Sequence, residues 1–591
     1  MNNDVLGRYP GEDARSDDHV KIIKAWLQSC QSHHTKCCQT ISGLRSINAG
    51  KAPLPTRCVE VRGGRYRLRE TSSKVGSYIA LSHRWTPDTE LCCTTTENIA
   101  VRRRGNADWW QMMPKTFLNT LDLARRLGVK YVWIDSLCII QRGDNGDDWR
   151  REAVKMADYY QQSLLTIAAT SGSGDHGLFP PRVSPPPTVA RLPYRDRNDS
   201  RQGFFYVYSY DKGMDQQYRS FVQESELLTR GWVFQEWLLS RRILYFTPGG
   251  MFIECQTNRP HNERGEVSET WSQHDLPAAD QPLAKNRFFF ETPSINGLWY
   301  RIIESYSALS LTKPEKDRIV ALSGIAKEFR EALTKAASGS RPPTTTVDCG
   351  LQSVSGLWLC DLHRGLLWEQ KSSERTPERL PQFPTWSWTS TVCPVVWDDM
   401  HNSRIKPEAK LVAVATSEGD VFSIKSLQAP GFMSPVPGAF DVESQFACLR
   451  MAGKTQQVRV REGFNHERDL ETAKRASGHG VESAKQRWRK VCSYLRPTEI
   501  TGWASFEHPD YQDDSVFRTG PNIHAFYISR TSRVPGGYGL GYLSPWHDVF
   551  NVLFVRNIEG RKYERLGVGR LFGKEIEEGF RTATTQDIEL I

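Results

Sequence analysis

The sequence predicts an α/β fold with a parallel sheet and flanking helices, followed by a mostly β C-terminal domain. Two apolar runs, Tyr78–Trp85 (Y-I-A-L-S-H-R-W) and Tyr131–Gln141 (Y-V-W-I-D-S-L-C-I-I-Q), each end abruptly in polar residues, as buried strands do at a sheet edge. Between them, Pro114 marks the start of a helix and Gly128 its end. Strand, helix and strand at this spacing predict a βαβ unit with two parallel strands.

Polar residues follow both of these strands. Parallel strands end at the same edge of a sheet, and ligands of open α/β sheets bind at that edge. We therefore expect a ligand-binding group of five residues, namely Ser82, His83, Arg84, Asp135 and Ser136. Structural roles remain open for them: Asp135 could cap a turn, and Arg84 could form a surface ion pair.

A second helix is predicted to begin at Asp147 and to carry the candidate catalytic residue, Glu152. Asp147 and Asp148 suit the first turn because carboxylates stabilise the positive end of a helix. The apolar face of the helix is formed by Trp149, Ala153, Met156 and Tyr160. Glu152 lies on the flank of this face, near the edge where the site is expected. Its alternative role is that of a first-turn carboxylate placed there by the helix dipole.

Four segments resemble the successive motifs of the fungal heterokaryon incompatibility (HET) domain. They are Tyr78–Trp85, Tyr131–Gln141, Asp148–Tyr160 (D-W-R-R-E-A-V-K-M-A-D-Y-Y) and Arg230–Glu236 (R-G-W-V-F-Q-E). Their order and spacing match, and the resemblance covers roughly residues 76–256. Weaker similarity to the flanking regions of such proteins is found in Ala52–Val61, Asp317–Ala326, Pro384–Trp388 and Tyr563–Gly569. The resemblance implies a role in nonself recognition and programmed cell death.

HET domains are thought to be distant relatives of TIR domains, some of which cleave NAD with a glutamate in the helix after a central strand. This more distant resemblance implies a TIR-like or flavodoxin-like sheet, NAD as a substrate, and Glu152 as the catalytic glutamate. In TIR domains a tryptophan usually stands four residues ahead of that glutamate, whereas Trp149 stands three ahead here. The alternative is a non-enzymatic signalling module that acts by assembly with partner proteins.

The chemistry of NAD cleavage suits the candidate residues. A carboxylate such as Glu152 can stabilise the positive charge that develops on the ribose. Arg84, or the amides at a helix N-terminus, can hold the diphosphate. The binding positions are those of the sheet edge: Ser82, His83, Arg84, Asp135 and Ser136.

A further polar and aromatic cluster lies on a short helix and consists of Arg230, Trp232, Gln235 and Glu236. Arg230 or Gln235 could reach the same cleft. Otherwise the cluster would be a buried, salt-bridged brace between the sheet and its helices.

The N-terminal segment contains residue types found in zinc sites, namely Cys30, His33, His34, Cys37 and Cys38. They form only one group, without a second Cys or His pair at a standard distance, and Cys58 is the nearest further thiol. We therefore expect reduced, partly buried cysteines and no bound metal.

At 591 residues the chain is long enough for two or three domains. The motifs predict a helical lead-in at 1–75, the HET domain at 76–256, a helical segment with a linker at 257–346, and a mostly β accessory domain at 347–591. The linker itself is expected at Ala336–Thr346, which is rich in Ser, Pro and Thr.

Composition limits the partners and the compartment. The net charge of +9 is spread over 77 basic and 68 acidic residues, so no nucleic-acid-binding face is expected. The N-terminus lacks the apolar core of a secretory signal, and no apolar run is long enough to span a membrane. The 13 cysteines fit a reducing compartment, so we expect a cytoplasmic protein. Its expected partners are a second copy of itself or an incompatibility partner protein.

Overall fold

A computed structural model describes most of the chain. The described residues are 13–48, 50–105, 109–170, 177–181, 189–208, 213–262, 265–266, 295–339, 353–371, 379–397, 405–427, 446–463, 488–511, 513, 515–518, 523–531 and 548–591. Most of the predicted linker, residues 340–346, lies outside them. The described residues form two compact units, the first within Met1–Leu276 and Gly324–Ala332, the second within Glu291–Ser323 and Leu333–Ile591.

The first unit is built on a nine-stranded sheet with the order β15-β14-β13-β12-β9-β5-β7-β2-β3. The strands of this unit, including three short pairs outside that sheet, are β1 (Ala52–Pro53), β2 (Arg57–Arg62), β3 (Arg65–Glu70), β4 (Val75–Gly76), β5 (Tyr78–Ser82), β6 (Thr94–Thr95), β7 (Tyr131–Trp133), β8 (Ile140–Arg142), β9 (Leu165–Ala168), β10 (Val189–Arg195), β11 (Arg201–Tyr208), β12 (Arg242–Thr247), β13 (Gly250–Cys255), β14 (His261–Asn262) and β15 (Gly265–Glu266).

The α-helices of this unit flank the sheet. They are α1 (Asp17–His33), α2 (Pro87–Leu91), α3 (Ile99–Arg104), α4 (Lys115–Leu127), α5 (Asp135–Cys138), α6 (Asp147–Ala153), α7 (Met156–Gln162), α8 (Met214–Tyr218) and α9 (Gly231–Leu239). A 3₁₀ turn at Thr35–Cys38 follows α1 directly. No helix in the described part of the chain combines the length and the apolar character that a membrane crossing requires.

The predicted βαβ unit is confirmed. Strands β5 and β7 are parallel, with Ile79 opposite Val132, and α4 connects them. β9 and β12 extend the parallel part of the sheet on the other side of β5. Residues 78–81 of β5 are fully buried, as the apolar run predicted for a strand covered on both faces.

The predicted parallel sheet is confirmed only in part, because the sheet is mixed. β2 pairs antiparallel with both β3 and β7, and β13 pairs antiparallel with β12. The connections explain this arrangement. Only Gly63 and Gly64, both at positive φ, separate β2 from β3. A two-residue turn can join only antiparallel strands, since a parallel crossover needs a dozen residues or more. The TIR-like or flavodoxin-like fold therefore stays an expectation from resemblance.

The helix predicted from Asp147 to Tyr160 is divided into α6 and α7. Gly146, in the left-handed conformation, precedes α6, and the helix ends at Ala153. α7 begins at Met156. Glu152 therefore lies in the last turn of a short helix rather than near the start of a long one.

The second unit is mostly β, as predicted. Its strands are β16 (Ser353–Val354), β17 (Leu357–Trp358), β18 (Glu369–Gln370), β19 (Val395–Val396), β20 (Ile405–Pro407), β21 (Lys410–Thr416), β22 (Val421–Ser423), β23 (Phe446–Gly463), β24 (Trp488–Cys492), β25 (Ile500–Phe506), β26 (Ile523–Thr531), β27 (Val549–Glu559), β28 (Lys562–Leu571) and β29 (Thr585–Leu590). Its helices are α10 (Ile295–Ser307), α11 (Pro314–Val320), α13 (Leu362–Gly365), α14 (Ile424–Leu427), α15 (Ser515–Arg518) and α16 (Lys574–Thr582). The helix α12 (Ser323–Gly339) is divided between the units, since its residues Gly324–Ala332 belong to the first.

Six of these strands close into a barrel. The pairing runs β23-β24-β25-β28-β27-β26 and returns from β26 to β23. Closure leaves these strands without a free edge. In β28, a Cβ on Gly567 would lie 2.1 Å from the Ser505 carbonyl oxygen of β25. Glycine is therefore required in the Y-E-R-L-G-V-G segment because the two backbones approach closely.

Candidate functional site

The ends of β5 and β7 are joined by a pair of side chains, His83 and Asp135. His83 follows β5, Asp135 follows β7 as the first residue of α5, and His83 Nε2 lies 2.9 Å from Asp135 Oδ1. The indole N–H of Trp85 donates to Asp135 Oδ2 at 2.8 Å. The backbone N–H of Ser136 donates to Oδ1 at 2.7 Å. Both carboxylate oxygens of Asp135 are thus hydrogen-bonded at the carboxyl edge of the parallel strands.

The surroundings of His83 favour its charged form. Its Nδ1 lies 3.1 Å from the carbonyl oxygen of Arg84, so each ring nitrogen faces an acceptor and must carry a proton to donate. Burial lowers the pKa of His83, but the charge and hydrogen bond of Asp135 outweigh burial and raise it overall. Burial likewise raises the pKa of Asp135, but His83, Trp85 and the Ser136 N–H bring it below its ordinary value. When His83 is protonated, the two residues form an imidazolium–carboxylate ion pair.

A buried acid, Glu236, lies next to this pair. Its side chain comes from α9, and the residue is only 7% exposed. Burial raises the pKa of Glu236 to about 7, and the charge of Asp135 adds to the effect, while the hydroxyls of Ser82 and Tyr160 oppose it. Glu236 Oε2 and the Ser82 hydroxyl are both buried, and neither has a hydrogen-bond partner within 3.5 Å. An acid whose pKa lies near neutrality can change its protonation state at physiological pH.

The sequence did not single out Glu236 as a site residue. Its helix is apolar except for two residues, Gln235 and Glu236, and an acid within such a helix signals either a brace or a functional group. Gln235 does not reach the sheet edge, because its Oε1 accepts the backbone N–H of Gly324 at 2.8 Å. Glu236 does not form the expected salt-bridged brace, because no Lys, Arg or His nitrogen of the described residues lies within 4.0 Å of its carboxylate oxygens.

Glu152 forms a separate polar cluster. Its carboxylate accepts hydrogen bonds from Thr56 Oγ1 at 2.9 Å, from the Tyr159 hydroxyl at 2.7 Å and from Lys155 Nζ at 2.9 Å. Glu152 is 2% exposed. None of its hydrogen bonds goes to Ser82, Arg84 or Asp135. Its oxygens are therefore already well satisfied by protein donors.

Of the predicted binding residues, the structure brings together Ser82, His83, Asp135 and Ser136. Arg84 is directed elsewhere, because its exposed guanidinium forms an ion pair with the exposed carboxylate of Glu226. The Ser136 hydroxyl is buried without a hydrogen bond, like that of Ser82. Trp85 was not among the predicted site residues, although its indole helps to hold Asp135.

The first unit is a mixed α/β domain, and it has a buried acid and the His83–Asp135 pair at the carboxyl ends of parallel strands. In open α/β sheets, ligands bind at that edge. Comparison with known families agrees with the motifs. Residues 78–236 match the model of the family described as heterokaryon incompatibility protein (HET). This segment of the chain is therefore similar to the HET domain. The match begins at the first residue of β5 and ends at Glu236, so it includes the whole sheet-edge group. Neither the curated proteins nor the solved structures provide a match.

Proposed function

We propose that the chain acts in fungal nonself recognition and programmed cell death, and that its HET domain hydrolyses the bond between nicotinamide and ribose in NAD. The family match over residues 78–236 supports the incompatibility role. The enzymatic role is supported by one observation. Glu236, with its pKa near 7, lies beside Ser82 and the His83–Asp135 ion pair at a sheet edge of the kind that binds ligands.

The proposed reaction needs a carboxylate and a water molecule. The bond between the pyridinium nitrogen and the ribose C1′ breaks, and its electron pair neutralises the ring nitrogen. Water then adds to C1′ and releases one proton. An anionic carboxylate beside the ribose stabilises the oxocarbenium-like transition state.

Two carboxylates are candidates for this role. The resemblance to TIR domains implies Glu152, and the sheet-edge geometry favours Glu236. We choose between Glu152 and Glu236 by the hydrogen bonds that each carboxylate already accepts. Glu152 already accepts three hydrogen bonds, whereas Glu236 Oε2 is buried with no hydrogen-bond partner within 3.5 Å. In our proposal, a ribose hydroxyl becomes that partner. We therefore propose Glu236 as the carboxylate and the protonated form of His83 as an electrostatic neighbour of the diphosphate.

We further propose that the protein acts in the cytoplasm, where NAD is available. The described cysteines form no disulfide bonds, which fits a reducing compartment.

The test is release of nicotinamide from NAD by the purified full-length chain, measured by chromatography. We expect turnover in the wild type and its loss in Glu236→Gln, which keeps the size of the side chain but removes its charge. Glu152→Gln tests the other carboxylate. Glu70→Gln, on an exposed ion pair with Arg103, is the matched surface control.

Each outcome has a distinct meaning. Loss of turnover only in Glu152→Gln would move the reacting centre to the Thr56–Tyr159 cluster. A folded wild-type protein that causes cell death but never releases nicotinamide would reject the enzymatic role. The HET domain would then act by assembly with a partner protein or with a second copy of the chain.

A further inference from the structure

Four potential metal ligands converge in the first unit, away from the sheet-edge group. They are Cys30, His34, Cys37 and Cys255, and their ligand atoms all lie within 4.8 Å of one another. Ideal zinc bonds of about 2.3 Å to sulfur and about 2.0 Å to nitrogen place the ligands of a tetrahedral site roughly 3.5–3.8 Å apart. The separations in the structure, at most 4.8 Å, exceed these values by no more than about 1.3 Å.

The local structure aligns three of these ligands. Cys30 lies in the last turns of α1, His34 follows that helix directly, and Cys37 lies in the 3₁₀ turn at Thr35–Cys38. Cys255, the last residue of β13, supplies the fourth position. Its Sγ lies 3.5 Å from His34 Nδ1, although the two residues are 221 positions apart in the chain.

This arrangement removes the reason for expecting no bound metal, which was that the N-terminal group lacks further ligands. In the sequence, no second Cys or His pair lies close to the first group, and Cys58 is the nearest further thiol. The structure completes the group with a single distant cysteine. The adjacent residues His33 and Cys38 do not join the cluster. Cys38 Sγ donates to the Gln31 carbonyl, and His33 Nδ1 contacts the Ser29 carbonyl.

The surroundings of the cluster suit a negatively charged metal centre. Arg242 is buried, and its Nε donates to Cys30 Sγ at 3.0 Å. Its remaining hydrogen bonds go to backbone carbonyls, so no described carboxylate neutralises the guanidinium. The backbone N–H of Asn258 lies 3.4 Å from Cys255 Sγ, and the Thr257 hydroxyl lies 3.3 Å from Cys37 Sγ. Such donors around the sulfurs are typical of the outer shell of metal sites.

We propose that Cys30, His34, Cys37 and Cys255 bind one zinc ion that fastens α1 to the end of β13. Thiolate and imidazole ligands together favour zinc, and four protein ligands make a closed, structural site. Binding converts three thiols to thiolates and releases three protons to solvent. Three thiolates and Zn²⁺ carry a net charge of −1, which the Arg242 guanidinium balances.

The test is the zinc content of the full-length protein, purified under reducing conditions without chelator and measured by mass spectrometry. We expect about one zinc per chain in the wild type. Cys37→Ser and His34→Asn should lose at least about nine-tenths of it, since removing one of four ligands opens the site. The matched controls are Cys38→Ser and His33→Asn, adjacent residues of the same types, which should keep the full content.

A measurement on the wild type alone guards against variants that fail to fold. Replacement of zinc by Co²⁺ should produce the strong thiolate charge-transfer and visible bands of a tetrahedral cobalt site. Zinc content near zero after reconstitution, or a disulfide among Cys30, Cys37 and Cys255 in the protein isolated from cells, would overturn the proposal. Equal zinc loss in Cys38→Ser and Cys37→Ser would overturn it as well.

Discussion

Asp135 Oδ1 lies 2.9 Å from His83 Nε2, and this contact joins residues 52 positions apart at the ends of two neighbouring parallel strands. Because the pair is largely shielded from water, its charges affect both the free energy of unfolding and the pKa of Glu236.

The first prediction concerns Asp135→Asn. It should lower the free energy of unfolding by about 3 kcal/mol near pH 5.5, because it leaves a buried imidazolium without its counter-charge. The raised pKa of His83 makes the contribution of the pair complete below about pH 6.5, and this contribution is lost as pH rises through the folded pKa. The lowered pKa of Asp135 means that the contribution of the pair is present above about pH 3.9. This contribution is lost as pH falls through the folded pKa of Asp135.

The measurement is urea unfolding of wild type and variant at pH 5.5 and 8.5. The cost of the substitution should be clearly smaller at the higher pH. Asp122→Asn, on the exposed pair with Arg125 in α4, is the control and should change little at either pH. A cost that is the same at both pH values would contradict an ion pair.

The second prediction concerns the pH dependence caused by Glu236. Its folded pKa of about 7 lies above its ordinary value of about 4.5, so the unfolded chain loses the proton first as pH rises. The free energy of unfolding should therefore fall between about pH 4.5 and 7, by about 3 kcal/mol in total. Glu236→Gln, which does not ionise, should remove this slope and be more stable than the wild type at pH 8. Parallel slopes for the two proteins would show that Glu236 ionises normally.

The third prediction concerns the Glu152 cluster. Tyr159→Phe removes the hydroxyl that donates to Glu152 Oε2 at 2.7 Å, and the loss of this donor should cost about 1–3 kcal/mol. In a double-mutant cycle with Glu152→Gln, the two changes should couple by about 1 kcal/mol, since each removes part of one hydrogen-bonded group. Thermal and urea unfolding of the four proteins give the coupling. Tyr159→Phe combined with Glu90→Gln, on an exposed residue, should be additive.

The fourth prediction concerns Arg565 in the β barrel. Its buried guanidinium donates to Glu507 Oε1 at 2.9 Å and to the carbonyls of Leu366 at 2.6 Å and Trp368 at 2.5 Å. It also lies 3.8 Å from the centre of the Trp368 ring. Arg565→Lys keeps the charge but loses the planar fork, so it should cost about 3–5 kcal/mol.

Calorimetry of the full chain would detect this loss as a lower melting temperature of the transition that includes the barrel. Arg561→Lys, four residues earlier and exposed, is the matched control and should melt like the wild type. If Arg565→Lys leaves the melting temperature unchanged, the guanidinium geometry contributes nothing to the stability of the barrel.

The local sequence pattern was sufficient to predict several helices and strands. The apolar runs and the Pro and Gly residues that bound the intervening helix predicted β5, α4 and β7, and the structure has them in the parallel arrangement expected. These elements are predictable because burial of a continuous apolar run and termination of a helix depend on residues close in the chain. The same reasoning placed Ser82, His83, Asp135 and Ser136 at one edge.

Other features depended on contacts between distant residues. The sequence alone determined the α/β character of the first unit, the β character of the second and the positions of the HET motifs. Only the tertiary structure decided that the sheet is mixed, that Glu236 rather than Glu152 faces the His83–Asp135 pair, and that Cys255 joins Cys30, His34 and Cys37. The physical reason is that pKa values and ligand geometry are set by side chains brought together in space, which local periodicity does not encode.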